Sequence, residues 1–98
     1  MKKNVIWNYR AEADYWKNID YLLTHWTVTE AQNFVAKVDH LIEQLESGNL
    51  TFKRSDYKNI FVVPVVPQIK LFYHNFSDDT IELLRFRSSR KNPETLRF

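Results

Sequence analysis

From Tyr9 to Ser47 the apolar positions recur at helical intervals, and from Asn59 to Arg87 they alternate as in strands. Ahead of both, Val5-Ile6-Trp7 is a short apolar run that reads as a brief first strand. Asn8 follows as an N-cap, because its side-chain oxygen can accept from a free first-turn amide. Glu12 and Asp14 then fall near the positive end of the helix dipole, where acid is favoured. Ala11, Tyr15, Leu22 and Trp26, with Ile19 beside them, form the buried face of the first helix. Thr27 and Glu30 have capping-box spacing, which predicts reciprocal bonds and a second helix starting at once. Ala31, Phe34, Val35, Val38, Leu41, Ile42 and Leu45 make its core-facing stripe. Gly48, the one glycine in the chain, suits a left-handed stop. Two helices joined so tightly predict a hairpin.

Residues 49–58 are polar and without period, a loop carrying Lys53, Arg54 and Lys58. Ile60 to Val66 is rich in β-branched residues, but Pro64 lacks an amide donor. That predicts an edge strand, an early end or a bulge. In Ile69–Phe76, Ile69, Leu71 and Tyr73 point one way, and Lys70, Phe72, His74 and Phe76 the other. Ser77-Asp78-Asp79 is a turn by composition. Strict alternation over Thr80–Arg87 sets Leu84 and Phe86 on one face, with Ile81, Leu83, Arg85 and Arg87 on the other. A polar, basic tail follows, in which Pro93 can open one helical turn ending near Leu96. The expected fold is α+β in the order β-α-α-β-β-β, an antiparallel sheet with a helical hairpin packed on one face.

Composition narrows the chemistry. The 98 residues suit a single domain spanning 1–98. One glycine rules out Gly-rich phosphate loops, and the absence of cysteine removes disulfides, thiolate zinc sites and cysteine nucleophiles. His25, His40 and His74 are scattered without ligand spacing, so neither metal nor cofactor is expected. No apolar run is long enough for a membrane span, and the start lacks the apolar core of a signal peptide. A cytoplasmic location is therefore expected, with no membrane partner. Net charge is +2 but uneven. Residues 1–48 carry five Lys/Arg against seven Asp/Glu; residues 49–98 carry nine against five. The basic second half suits an anionic or acidic partner, or an ordinary solvated surface.

Taken in order, several segments resemble the RelE/ParE superfamily of bacterial type II toxins. They are Ile6-Trp7-Asn8, Tyr21-Leu22, Trp26, Phe34, Leu71-Phe72-Tyr73, Asp79 to Phe86, and the ending Arg90-Lys91-Asn92-Pro93. The resemblance covers nearly the whole chain. It implies a toxin held silent by a cognate antitoxin, in a hetero-oligomer. RelE-like members cut mRNA on the ribosome; ParE-like members block DNA gyrase and are not nucleases.

Metal-free RNA cleavage requires activation of a 2′-hydroxyl, stabilisation of the phosphorane and protonation of the leaving oxygen. The candidates are Lys53, Arg54, Lys70, His74, Arg85, Arg87 and Arg90. Arg85 and Arg87, two apart on a strand, either clamp one phosphate or carboxylate pair or cross-pair with acids such as Glu82. Lys53 and Arg54 fall in a loop where nucleolytic relatives place basic residues; a solvated loop is the alternative. His74 is either an acid–base group or a structural histidine. Trp7, Trp16 and Trp26 read as packing residues, with Trp16 off the main stripe and available to anchor an antitoxin. Catalytic relatives usually end in a tyrosine or a His-Tyr pair, whereas this chain ends Thr95-Leu96-Arg97-Phe98. Phe98 stacks but transfers no proton. The expected function is thus ParE-like binding of a macromolecular target, with Arg85, Arg87, Arg90 and Lys91 supplying charge. The alternatives are a RelE-like ribosome-dependent endonuclease and a non-toxic α+β interaction domain.

Overall fold

A computed structural model gives the fold and describes residues 2–48 and 59–88. The elements are β1 (Asn4–Trp7), α1 (Tyr9–His25), α2 (Val28–Ser47), β2 (Ile60–Val66), β3 (Ile69–Ser77) and β4 (Thr80–Ser88). The strands form one sheet in the order β1-β4-β3-β2. The meander β2-β3-β4 is antiparallel, and β1 joins it parallel to β4. The meander is antiparallel as expected, but the parallel β1 makes the whole sheet mixed rather than antiparallel, because strand order in sequence does not fix the direction of a non-adjacent pair.

Local signals end the helices where the spacing predicts. The Asn8 side chain accepts from the Arg10 amide at 2.9 Å. The Thr27 hydroxyl accepts from the Glu30 amide at 3.2 Å. The reciprocal half of the box differs, because the Glu30 carboxylate accepts from Gln68 Nε2 at 3.5 Å. Gly48 stops α2 at φ 72°, where a Cβ is strained. Trp26 departs from the expected stripe. It is the C-cap of α1, donating its amide to the Leu22 carbonyl, and its ring is exposed.

The helices pack on one face of the sheet. Leu22, Phe34, Val38 and Leu45 meet Val63, Ile69, Leu71, Leu83 and Phe86. Each fully buried side chain of this kind contributes about 1.5–3 kcal/mol. An aromatic knot ties four elements together, with Tyr15 lying 5.2 Å from Trp7 and 5.5 Å from Phe34, and Trp7 lying 5.6 Å from Phe86. In β3, Ile69, Leu71 and Tyr73 face this core as the alternation predicts. Strand β2 is the outer edge, and its register shifts between Pro64 and Val66. The missing proline donor thus falls on an edge that also carries an irregularity.

Strand β4 breaks the predicted alternation. Ile81, Leu83 and Phe86 are the buried residues, and Leu84 is only partly covered. The register shifts so that Tyr73 faces Leu83 while Phe72 faces Arg85, with Leu84 as the extra residue. Such a bulge reverses the facing of every later residue relative to strict alternation. Phe86 thereby joins Ile81 and Leu83 in the core.

Candidate functional site

The bulge also decides what Arg85 does. Beyond Leu83 the outer edge of β4 has no β1 residue beside it, because the parallel pairing ends at Trp7. Helix α1 borders the strand there instead. Asp14 and Asn18 lie three and seven residues after Ala11, on the buried face of α1. Asp14 Oδ2 accepts from Arg85 Nε at 2.6 Å and from the Phe86 amide at 3.1 Å, while Oδ1 accepts from Arg85 Nη2 at 3.1 Å. Asn18 Nδ2 donates to the Asp14 carbonyl at 2.9 Å and the Phe86 carbonyl at 3.2 Å. Both backbone groups of Phe86 that a neighbouring strand could bond are thus met by helix side chains.

Asp14 is 8% exposed, the one buried charged residue among those described. The Arg85 side chain is nearly as covered. A bidentate guanidinium–carboxylate pair at this depth neutralises the cation. Arg85 therefore serves the α1–β4 junction, the alternative to a clamp with Arg87. Cross-pairing with an acid is the reading the geometry bears out, with Asp14 in place of Glu82. Arg87, opposite Lys70, lines a cleft of about 350 Å³ with Lys17, Tyr21 and Gln68.

The open face of the sheet holds the second charged arrangement. The register sets Ile6, Glu82, His74 and Ile60 in one row across four strands. His74 Nε2 lies 2.7 Å from Glu82 Oε1, and Asn8 Nδ2 donates to Glu82 Oε2 at 3.2 Å. A carboxylate only accepts, so this contact places a proton on Nε2 and fixes the ring's orientation. Phe76 stands edge-on to the ring at 6.4 Å, and both Phe76 and Ile6 are exposed. His74 is thus a held, partly exposed histidine on the open face, at the place the β3 alternation gives it.

Two further groups depart from their ordinary ionisation. Burial, reinforced by nearby Asp39, pushes the Tyr15 hydroxyl above its usual range. Hydrogen bonds from Ser77 at 2.9 Å and Thr80 at 3.0 Å hold the Asp79 carboxyl below its usual range. These bonds lock the tight β3–β4 turn that the composition predicts.

Of the other candidates, Lys53, Arg54, Arg90 and Lys91 lie outside the described residues, as does the turn expected at Pro93. Trp7 packs as expected, whereas Trp16 is 59% exposed. Asp14 and Asn18 are the residues that sequence reasoning misassigned or passed over. Their signal is two polar side chains inside the stripe of Ala11 and Leu22, which reads as a buried polar contact rather than as dipole compensation.

The sequence profile of the ParE toxin of the type II toxin–antitoxin system parDE matches residues 5–93. None of the curated proteins matches the chain. Several solved structures share the fold. A chain of the chromosomal ParDE toxin–antitoxin system from Pseudomonas aeruginosa superposes with a TM-score of 0.71 at 13% identity, covering 89% of this chain and 96% of that one. A YoeB dimer from Staphylococcus aureus gives 0.58 at 14% identity, covering 87% and 94%. The DinJ-YafQ toxin–antitoxin complex from Escherichia coli gives 0.57 at 12% identity, covering 90% and 93%.

Proposed function

We propose that this chain, which belongs to the ParE toxin family of type II toxin–antitoxin systems, arrests growth by binding a macromolecular target such as DNA gyrase. A cognate antitoxin neutralises it, and the pair acts in the cytoplasm. The observation that carries this reading is the burial of Arg85 against Asp14. It withdraws from chemistry the strand arginine best placed to stabilise a phosphorane, and leaves recognition by surface complementarity. Purified gyrase tests it directly. The expected result is loss of supercoiling at stoichiometric toxin, reversed by the antitoxin. Unaltered gyrase activity at large molar excess would sink the reading.

One observation favours a second reading, a ribosome-dependent mRNA endonuclease. His74 is oriented by Glu82 on the open sheet face, which is how a proton-transferring histidine is held. Mapping transcript ends after induction separates the two. New codon-aligned 5′ ends that vanish in His74→Ala support cleavage, and their absence in the wild type excludes it.

A further inference from the structure

We propose that the cleft between α1 and the Ile69–Ser88 end of the β3–β4 ladder binds a free adenine nucleoside monophosphate, with the phosphate at Lys17 and Arg87 and the base beside Tyr21 and Trp26. Two adjoining hollows make the site. The first, of about 350 Å³, is lined by Lys17, Tyr21, Gln68, Arg87 and Ser88. The second, of about 150 Å³, is lined by Tyr21, Trp26, Pro67, Gln68 and Ser88. They share Tyr21, Gln68 and Ser88 and so form one depression. From Lys17 to Trp26 the helix rises roughly 13 Å, room for a phosphate, a sugar and a base laid end to end.

The first hollow selects an anion. Arg87 stands directly opposite Lys70 in the antiparallel register. Like charges so placed repel, and an anion beside them relieves the repulsion. Lys17 is exposed and makes no ion pair among the described residues. Asp14 also lines this hollow, but its carboxylate is taken up by Arg85 and the Phe86 amide, so it does not cancel the cations. A phosphate monoester, with close to two negative charges, matches Lys17 and Arg87. The second hollow selects a flat ring. Tyr21 is 40% exposed and Trp26 41%, and Pro67 is exposed between them and the sheet. His25 stacks on Tyr21 at 4.7 Å, which holds that ring in place before any ligand arrives. Gln68 borders both hollows, and its amide has a fixed sense. Nε2 donates to Glu30 Oε2 at 3.5 Å, while Oε1 is covered and has no hydrogen-bond partner among the described residues. A covered acceptor of this kind lacks only a donor, and the exocyclic amine of adenine supplies one. His74 and Glu82 lie further along the same ladder, outside the cleft. The inference goes beyond the choice of cellular target and does not depend on it.

Titration of the full chain with AMP, IMP, adenosine and inorganic phosphate tests it, read by calorimetry and by amide and indole shifts. AMP should bind with shifts centred on Lys17, Tyr21, Trp26, Gln68 and Ser88. Adenosine, which lacks the phosphate, and IMP, which lacks the amine, should each bind about tenfold more weakly. Rising salt should weaken AMP and leave adenosine unchanged. Lys17→Glu, at an exposed position, should weaken AMP about tenfold without changing adenosine binding or the circular dichroism. Gln68→Met keeps the length of the side chain and removes the acceptor, and it should abolish the preference for AMP over IMP. No shifts at millimolar AMP, shifts centred elsewhere, equal binding of AMP and adenosine or of AMP and IMP, or an unchanged affinity in Lys17→Glu overturns the proposal. Inorganic phosphate binding as tightly as AMP also overturns it, since the aromatic hollow then contributes nothing. So does tighter binding of an oligoribonucleotide with a 5′-hydroxyl end, since the cleft is then a stretch of a strand's path and not a mononucleotide site.

Discussion

Strand β4 has two kinds of neighbour along its outer edge. Over Thr80–Leu83 it is bordered by β1, and the Asn8 amide closes that stretch on the Leu83 carbonyl at 2.9 Å. Around Phe86 it is bordered by α1, whose Asp14 and Asn18 take the places a strand's carbonyl and amide would occupy. Each half also carries one carboxylate paired with a cationic or cationisable side chain, Glu82 with His74 and Asp14 with Arg85. The Glu82 pair lies on the open face and is partly solvated. The Asp14 pair is buried and also satisfies a backbone amide. The same chemistry thus does different work at the two places. In the first half it orients a histidine toward solvent, and in the second it fastens a helix to a sheet edge.

The sharpest way to break this comparison is Asp14→Ala. It strands the Arg85 guanidinium and the Phe86 amide in a covered site, which should cost about 3–5 kcal/mol. Denaturant unfolding measures it. Asp14→Asn, which keeps an acceptor for the Phe86 amide, should cost less, about 1–3 kcal/mol. A loss in Asp14→Ala no larger than that of an exposed substitution would remove α1 from its role as the strand's neighbour.

Asn18→Ala comes next, at about 1–2 kcal/mol, because the Phe86 carbonyl loses its side-chain donor. Glu82→Gln should cost about 0.5–1.5 kcal/mol, since the amide oxygen still accepts from His74 and water reaches the pair. The ordering Asp14, Asn18, Glu82 is the test, and a Glu82 variant as damaging as Asp14→Ala would erase the distinction between the two halves.

Two pH effects sharpen the picture further. The Tyr15 hydroxyl ionises near 10.0 in the unfolded chain and at higher pH in the fold. Its contribution is intact below that pH and is lost as pH rises through the folded value. Asp39→Asn removes the nearby charge and should move alkaline unfolding to higher pH. For Asp79 the sign is opposite. Its folded pKa lies below the ordinary 3.8, so its contribution is present above that pH and fades as pH falls. This carboxyl is fully exposed, so the effect on stability is the smallest of the set. It is best read by NMR titration of the carboxyl, where Ser77→Ala should raise its pKa.

The sequence by itself determined whatever is decided within a few residues. Asn8, Thr27 and Gly48 set helix ends through bonds that span two or three positions. The apolar stripe of α2, the alternation of β3, the edge position of Pro64 and the β3–β4 turn are local in the same sense. The resemblance to the toxin family rests on those elements in order, and the family match bears it out. Only the tertiary structure decided the parallel pairing of β1, the bulge at Leu84 and the partner of Arg85. Asp14 and Arg85 are separated by 71 residues, so no spacing rule joins them. One extra residue in β4 was enough to send Phe86 into the core, because a sheet has period two and a single insertion exchanges its faces. The helix-and-strand frame was legible because propensity and capping act along the chain. The charges on that frame were not, because burial and pairing are set by what folds across it.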